Sequence, residues 1–513
     1  MTMSIAKIVR AAGERFGADI ALQDGARSVS FADLSDRVHR LAAGIAARGV
    51  DPGGIVLVLL PNSVASIEVD LALTIGGYVR VALNPRVGQR DWDRIAQDCR
   101  PVALIFDPSV AGAREFAVCA PVTVRIAATA DRVGIDSLDS VAAAAPRSVL
   151  PELDPDAVCA LHYSSGTTGA PKGARRTHAN RLASLRAMRE HVLAGTLDAA
   201  EPPVCLHAGP VIHTSGLFVL PFLAAGGRQV LLEHARPAEL PAAVADHRAT
   251  HTVLVPTVIA RLLELGDGEL APLRRLRMLA YAGAPMPVEH IRQAYRRITP
   301  NLVQYYGMVE AIPPLTVLGI DDHHRGMHAN PEILGSVGRP CADVDIDIRD
   351  GDAVLPTGSV GELVIGGPAV GPGYHNAGAR TDLGKNRHAG RLCSGDLGFR
   401  ANDGYVHLTG RGQDMIITGG YNVYPREVEE ALLTITGLTD AVAVGLADPI
   451  WGQRIVAAYT ATAADVTDDL VLRRSREVLP DYKRPKSVHR VPVLPLTPLG
   501  KVDRAAVARM LCP

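Results

Sequence analysis

YSSGTTGAPKG, residues 163–173, sets four Ser and Thr hydroxyls, three glycines and one lysine side by side. The run before it, Val158 to Tyr163, is short, apolar and of strand type. After it, Thr177 is a good helix N-cap, and Leu182, Leu185, Met188 and Val192 recur at helical spacing. The stretch is therefore expected to join a strand to a helix. Gly166, Gly169 and Gly173 let backbone approach a ligand closely. Ser164, Ser165, Thr167 and Thr168 offer hydroxyl donors, and Lys172 offers a compact positive charge. Such a loop suits a polyphosphate. It is not the Walker pattern, because the lysine follows Pro171 and no Ser or Thr comes after it. A Ser/Gly/Thr run can also be a plain linker, and the Pro-Lys-Gly ending argues against that here.

The 513-residue chain is long enough for several subdomains. Its 47% apolar and 21% charged residues are ordinary for a globular protein, and a net charge of −1 gives no reason to expect nucleic acid or an anionic membrane as partner. Seven scattered cysteines without a CxxC pair argue against a disulfide framework or zinc site and fit a reducing cytoplasm. The first residues lack signal-peptide character; Ile5, Ile8, Val9 and Ala12 instead mark one face of a short helix. The most apolar segment, Gly216 to Gly227, is too short to span a bilayer and contains Pro221. No membrane insertion is expected, and a cytoplasmic location is. Only six lysines stand among many arginines, so a lysine can mark a site that needs an ammonium; Lys172 and Lys501 fall in the two sharpest motifs.

Along the chain, strands are expected at Ser28–Phe31, Ile55–Leu60, Val79–Leu83 and Val102–Phe106, with helical stripes between them. This alternation predicts an α/β fold with a mainly parallel, helix-covered sheet. A second α/β unit runs from about Val204 to Val303. Short β segments then take over, VDIDI, VGELVIGG and YVHLTG, which predicts a β subdomain over about 335–410. Residues 411–513 read as a separate α+β lid, with a helix beginning at Pro425.

Further motifs follow the opening loop in order: AGAP at 282–285, QYYGMVE at 304–310, GELVIGGP at 361–368, SGDLG at 394–398, GRGQDMIITGGYNVYPRE at 410–427 and PLTPLGKVDR at 495–504. Upstream, GGYVRVALNPR occupies 76–86. Together these resemble the adenylate-forming superfamily of acyl-CoA synthetases, peptide-synthetase adenylation domains and luciferases. The order and spacing are most similar to the acid–CoA ligase branch. The resemblance covers nearly the whole chain. It implies a large N-terminal domain, 1–410, of two helix-covered sheets plus a β barrel, and a small mobile C-terminal domain, 411–513, with a hinge at about 411–414.

The resemblance also implies the chemistry. A carboxylate attacks the α-phosphate of MgATP, giving an acyl-adenylate and pyrophosphate. A nucleophile, usually the CoA thiol, then displaces AMP. The implied substrates are a small carboxylic acid, ATP and CoA, with Mg²⁺ as cofactor and a homodimer left open. Ser164 to Lys172 resembles the clamp on the β- and γ-phosphates. Thr167 and Glu310 resemble the oxygen ligands near Mg²⁺. Tyr306 resembles the aromatic that stacks on adenine, flanked by Tyr305 and Gly307, with Gly283, Ala284 and Pro285 across the nucleotide. Asp396 resembles the carboxylate that accepts from both ribose hydroxyls, and Arg411 the arginine near ribose and phosphate. Lys501 resembles the lysine that bridges carboxylate and phosphate as they react. His213, in PVIHTSG, resembles the gate between acid pocket and thiol channel, and completes the catalytic group with Lys501 and Glu310. The acid pocket is expected around His213, Gly216, Gly283, Ala311 and Ile312.

Two positions depart from the family. Val309 stands where a Thr or Ser hydroxyl is usual, which removes one donor to the AMP phosphate. Gln413 stands at the hinge where an acidic residue or Lys is frequent. Ala311-Ile312-Pro313-Pro314 carries no charge, so it offers no partner for an α-amino group. An aryl or medium-length apolar acid fits that segment better than an amino acid. Besides the acid–CoA ligase, two readings remain open: transfer of the adenylate to an amine or carrier-protein thiol, and a non-catalytic nucleotide sensor.

Overall fold

The structure is a computed structural model that describes residues 4–25, 27–130, 134–145, 150, 152–163, 172–233, 235–376, 387–463, 465–498 and 500–512. Local signals form the elements as expected. The first helix, Ile5–Phe16, is capped by Ser4 and buries Ile5, Ile8, Val9 and Ala12. Helix Phe31–Ala46 starts at Ser30, whose hydroxyl accepts from Asp33 N, and buries Leu34, Val38, Leu41 and Ile45. Helix Val64–Ile75 opens on a reciprocal cap between Ser63 and Ser66 and is buried on nearly all sides, as a helix held between two layers must be; its two carboxylates, Glu68 and Asp70, are paired with arginines.

Those layers are two sheets. The first runs Gly373–Tyr374, Gly173–Thr177, Val158–Tyr163, Val79–Ala82, Ile55–Leu59, Ala103–Phe106, Val124–Ala127, Asp136–Ser137, and is parallel from Val158–Tyr163 onward. The second has nine strands among the described residues, and its centre, from Arg228–Leu231 to Leu302–Tyr306, is parallel. One apolar cluster joins them: Val56 and Val58 from the first sheet, Leu22, Val29 and Leu231 from the second, and the helices between.

Three strand expectations change. Ser28–Ser30 does not enter the first sheet; it pairs with Ile20–Gln23 at the edge of the second. Phe31 is already helical. A strand, Gly173–Thr177, intervenes between the glycine-rich stretch and the helix His178–Ala187, and pairs antiparallel with Val158–Tyr163. Thr177 caps that helix as expected.

The β subdomain is a six-stranded antiparallel sheet among the described residues. Its longest strand, Arg391–Arg400, carries SGDLG. Among the described residues the C-terminal part forms a five-stranded sheet, with helices Pro425–Leu432 and Asp468–Val478 on one core and Arg504–Leu511 on a second. Among the described residues, no helix is long and apolar enough to cross a membrane, and all seven cysteines are free thiols.

Candidate active site

Lys501 arrives from the C-terminal domain. Its carbonyl accepts from Thr497 N at 2.7 Å, and the Gly500 carbonyl accepts from Thr257 Oγ1 of the large domain at 2.7 Å. Gly283 faces it with φ +90°, and a methyl group there would lie 3.6 Å from Lys501 Cε. Loss of water and the nearby Arg411 hold the Lys501 ammonium below its ordinary pKa, with Asp396 opposing. Lys501, Gly283, Asp396 and Arg411 thus share one cleft.

Asp396 is buried, and both its oxygens are engaged: Oδ2 accepts from the Tyr306 hydroxyl at 2.5 Å and Oδ1 from Arg411 Nε at 3.1 Å. Burial, with Asp396 second, raises the Tyr306 pKa well above the ordinary range. Ala284 is half-buried and Pro285 exposed beside Gly283. Gly307 is a packing requirement, since a Cβ there would meet Pro313 at 2.6 Å. Tyr305 departs from expectation. Adjacent residues of a strand face opposite ways, so it points into the core beside Phe218, and its hydroxyl donates to the Thr214 carbonyl at 3.4 Å.

Glu310 accepts a hydrogen bond from the Tyr374 hydroxyl. The Lys172 ammonium lies 5.8 Å from the centre of the same tyrosine ring. Tyr374 therefore links the end of the glycine-rich stretch to Glu310. Nothing in the sequence pointed to it, although a tyrosine directly after two closely spaced glycines in GPGYHN was a usable signal. Ser164, Ser165, Gly166, Thr167, Thr168 and Gly169 lie outside the described residues. Among the described residues, no three His, Cys, Asp or Glu side chains converge. A single carboxylate such as Glu310 still suits magnesium, which keeps waters and takes phosphate oxygens as its other ligands.

A cavity of about 70 Å³ opens beneath His213. Asn62 Oδ1 accepts from Val211 N at 2.9 Å, and Asn62 Nδ2 donates to the Gly209 carbonyl at 2.8 Å, which fixes the segment carrying His213. His213 Nδ1 lies 3.1 Å from His162 Nε2. Burial first, then Lys501, Arg176 and Arg80, push the His213 pKa down to about 3, and burial likewise lowers His162. Both rings are neutral at physiological pH. Of the expected pocket residues, His213, Gly216 and Ile312 line the cavity. Gly216 has no alternative: a Cβ would stand 1.9 Å from the Val211 carbonyl oxygen. Gly283 faces Lys501 instead of the cavity, and Ala311 is buried in the core of the β subdomain.

The charged part of the lining was not foreseen: Asp70, Arg80, Arg176 and Arg181. The signal for Arg176 was GARRT itself: two adjacent arginines in a strand cannot both face water when one side of the sheet is covered.

A feruloyl-CoA synthase from Amycolatopsis sp is 35% identical over 494 residues, covering 95% of each chain. A sulfoacetate–CoA ligase from Cupriavidus necator is 35% identical over 492 residues, 94% of this chain and 92% of its own. The structure of the amide bond synthetase McbA from Marinactinospora thermotolerans superposes with a TM-score of 0.87 at 30% identity, covering 99% of this chain and 100% of its own. The AMP-binding enzyme family matches residues 9–375, and the AMP-binding enzyme C-terminal domain matches residues 427–501. With that coverage, and with Lys501 of the C-terminal domain in the cleft of the large domain, the chain belongs to the AMP-binding enzyme family.

Proposed function

We propose that this protein is an AMP-forming acid–thiol ligase. One acid oxygen attacks the α-phosphorus of ATP, the bond to pyrophosphate breaks, and an acyl-adenylate forms. The CoA sulfur then attacks the acyl carbon, AMP leaves with the carboxyl oxygen, and a thioester remains. The observation that carries this reading is Lys501 of the lid standing against Gly283, in the cleft that holds Asp396 and Arg411. Two anions must approach for the first step, and an ammonium between them offsets their repulsion and the charge that develops.

Each remaining group has a part. Asp396 and Arg411 hold the ribose, with Tyr306 against adenine and Gly283, Ala284 and Pro285 across from it. Lys172 and the hydroxyls before it hold the leaving pyrophosphate. Glu310, kept in place by Tyr374, is the ligand for magnesium, which neutralises phosphate charge when bound; Thr167 is the second expected ligand. His213 is neutral, so it acts as a gate to the acid cavity and not as a proton donor. In the domain division we propose, residues 1–410 form the body and 411–513 the lid. The short turn Gly412–Asp414 is the hinge, and Gln413 is tolerable there because a hinge has only to absorb a backbone change. The reaction draws on cytoplasmic ATP and CoA.

A second acceptor is supported by one observation, the likeness to an amide bond synthetase. An amine nitrogen would then attack the acyl carbon and form an amide. Pyrophosphate release with a panel of acids tests adenylation, and absence of release with every acid favours the nucleotide sensor. CoA and then amines, added to preformed adenylate, separate thioester from amide formation.

A further inference from the structure

The cavity beneath His213 holds more positive charge than the protein itself neutralises. Asp70 is the one carboxylate among its described lining residues. It already serves two arginines: Arg80 Nε lies 3.0 Å from Oδ1 and Arg181 Nη2 lies 2.8 Å from Oδ2. Arg181 is also tied to Thr74 Oγ1 at 2.6 Å. Arg176, in the same lining, has no such partner. Its Nη2 reaches the Val309 carbonyl at 3.3 Å, and its Nε is buried without a hydrogen bond. Among the described residues, no carboxylate stands within ion-pair distance of it. Burial first, then Arg80 and Arg181, push its pKa down to about 9, still protonated at neutral pH, with Cys159 and the more distant Glu310 opposing weakly. The histidines add no negative charge. Three guanidinium groups thus face one carboxylate around a cavity.

A buried charge left without a counter-ion is strongly unfavourable. A ligand that supplies the missing anion removes that penalty. We propose that the acid substrate carries a second anionic group, a carboxylate or sulfonate, remote from the reacting carboxylate, and that Arg176 with Arg80 binds it. This rests on the reading of the cavity as the acid pocket of the adenylation reaction. His213 feels Lys501 from the lid and Arg176 and Arg80 from the cavity, so a short acid lying past His213 has a cation for each end. Leu60, Ile67, Leu185 and Ile312 line the space between and suit methylene groups. At about 70 Å³ the cavity is roughly half the ~150 Å³ that holds a benzene ring, so the body of the acid is short. The uncharged segment Ala311–Pro314, from which an apolar tail was expected, describes only the wall at Ile312.

The test is pyrophosphate release with shape-matched pairs: malonate against 3-methylbutanoate, and succinate against 4-methylpentanoate, with 3-sulfopropanoate as the sulfonate arm. The dianions should exceed their apolar partners in kcat/KM by at least ~10-fold, the effect of one hydrogen-bonded charge. Their order identifies carboxylate or sulfonate as the better terminal group. In Arg176→Gln the dianion-to-monoanion ratio should fall by ~10–100-fold, mostly through KM, while Arg176→Lys retains part of it. Equal or better rates with the apolar acids in the wild type would overturn this inference and leave adenylation standing. The same holds if Arg176→Gln keeps the full preference. Should Arg176→Gln not fold, the wild-type ratio alone decides. No release with any acid would overturn the proposed function, and this inference with it.

Discussion

Removing one hydroxyl, in Tyr374→Phe, isolates the support of Glu310. The Tyr374 hydroxyl donates to Glu310, and burial together with that carboxylate raises the tyrosine pKa, so it stays a donor at any working pH. The phenyl ring of the variant keeps its packing and its place under Lys172, 5.8 Å away in the wild type. What is lost is one hydrogen bond to a charged group, worth about 1.5–3 kcal/mol, or roughly 10–150-fold in rate if it is fully used in the transition state. The assay is ATP–pyrophosphate exchange at saturating acid, run across a magnesium titration. We expect kcat/KM for MgATP to fall ~10–100-fold and the magnesium midpoint to rise, with the denaturation midpoint unchanged. The midpoint shift is the informative part, because a packing role would not move it. Wild-type exchange with wild-type magnesium dependence would refute the idea that Tyr374 positions Glu310.

Other outcomes follow from the same geometry. Because the Lys501 pKa is held below the usual 10.5, adenylation should fall as pH rises through that lowered value, placing the alkaline limb of its rate profile below 10.5. His213, at about 3, stays neutral over about pH 5–8, and burial lowers His162 as well, so neither contributes a limb near the ordinary histidine value of 6.5; a histidine-dependent limb there would contradict this. Gly216→Ala drives a methyl to 1.9 Å from a backbone oxygen and should destabilise by ~1–3 kcal/mol in chemical denaturation, with a raised KM for the acid. Val309→Thr restores the hydroxyl usual in the family and should speed exchange by ~10-fold; no gain would mean that another donor already serves the phosphate.

Local elements were legible because their causes are local. The buried face of Ile5–Phe16 and the start of helix Pro425–Leu432 follow from side-chain period and from a proline in the first turn. Sheet membership was not legible. Ile20–Gln23 pairs with Arg228–Leu231, and nothing near either strand announces a partner two hundred residues away. Gly173–Thr177 was hidden because GARRT lacks the alternation of a half-buried strand, and Arg391–Arg400 because Gly395 and Gly398 interrupt it. In the site, the motif residues Lys501, Asp396 and Arg411 do come together in space. Tyr305 and Ala311 do not join them, since a motif records which residues recur and not which way each side chain points. The cavity arginines escaped notice because each is ordinary alone, and their significance lies in a charge balance visible only when two helices and two strands are assembled.

Pyrophosphate release by Lys501→Ala, measured beside ATP binding, tests most directly the claim that the lid lysine performs the first step. Release should fall by ~10²–10³-fold, the effect of removing one preorganised charge-stabilising donor, with ATP binding mostly intact. Transfer from a preformed adenylate should survive, since that step does not bring the two anions together. Near-normal pyrophosphate release from the variant would contradict the assignment of Lys501.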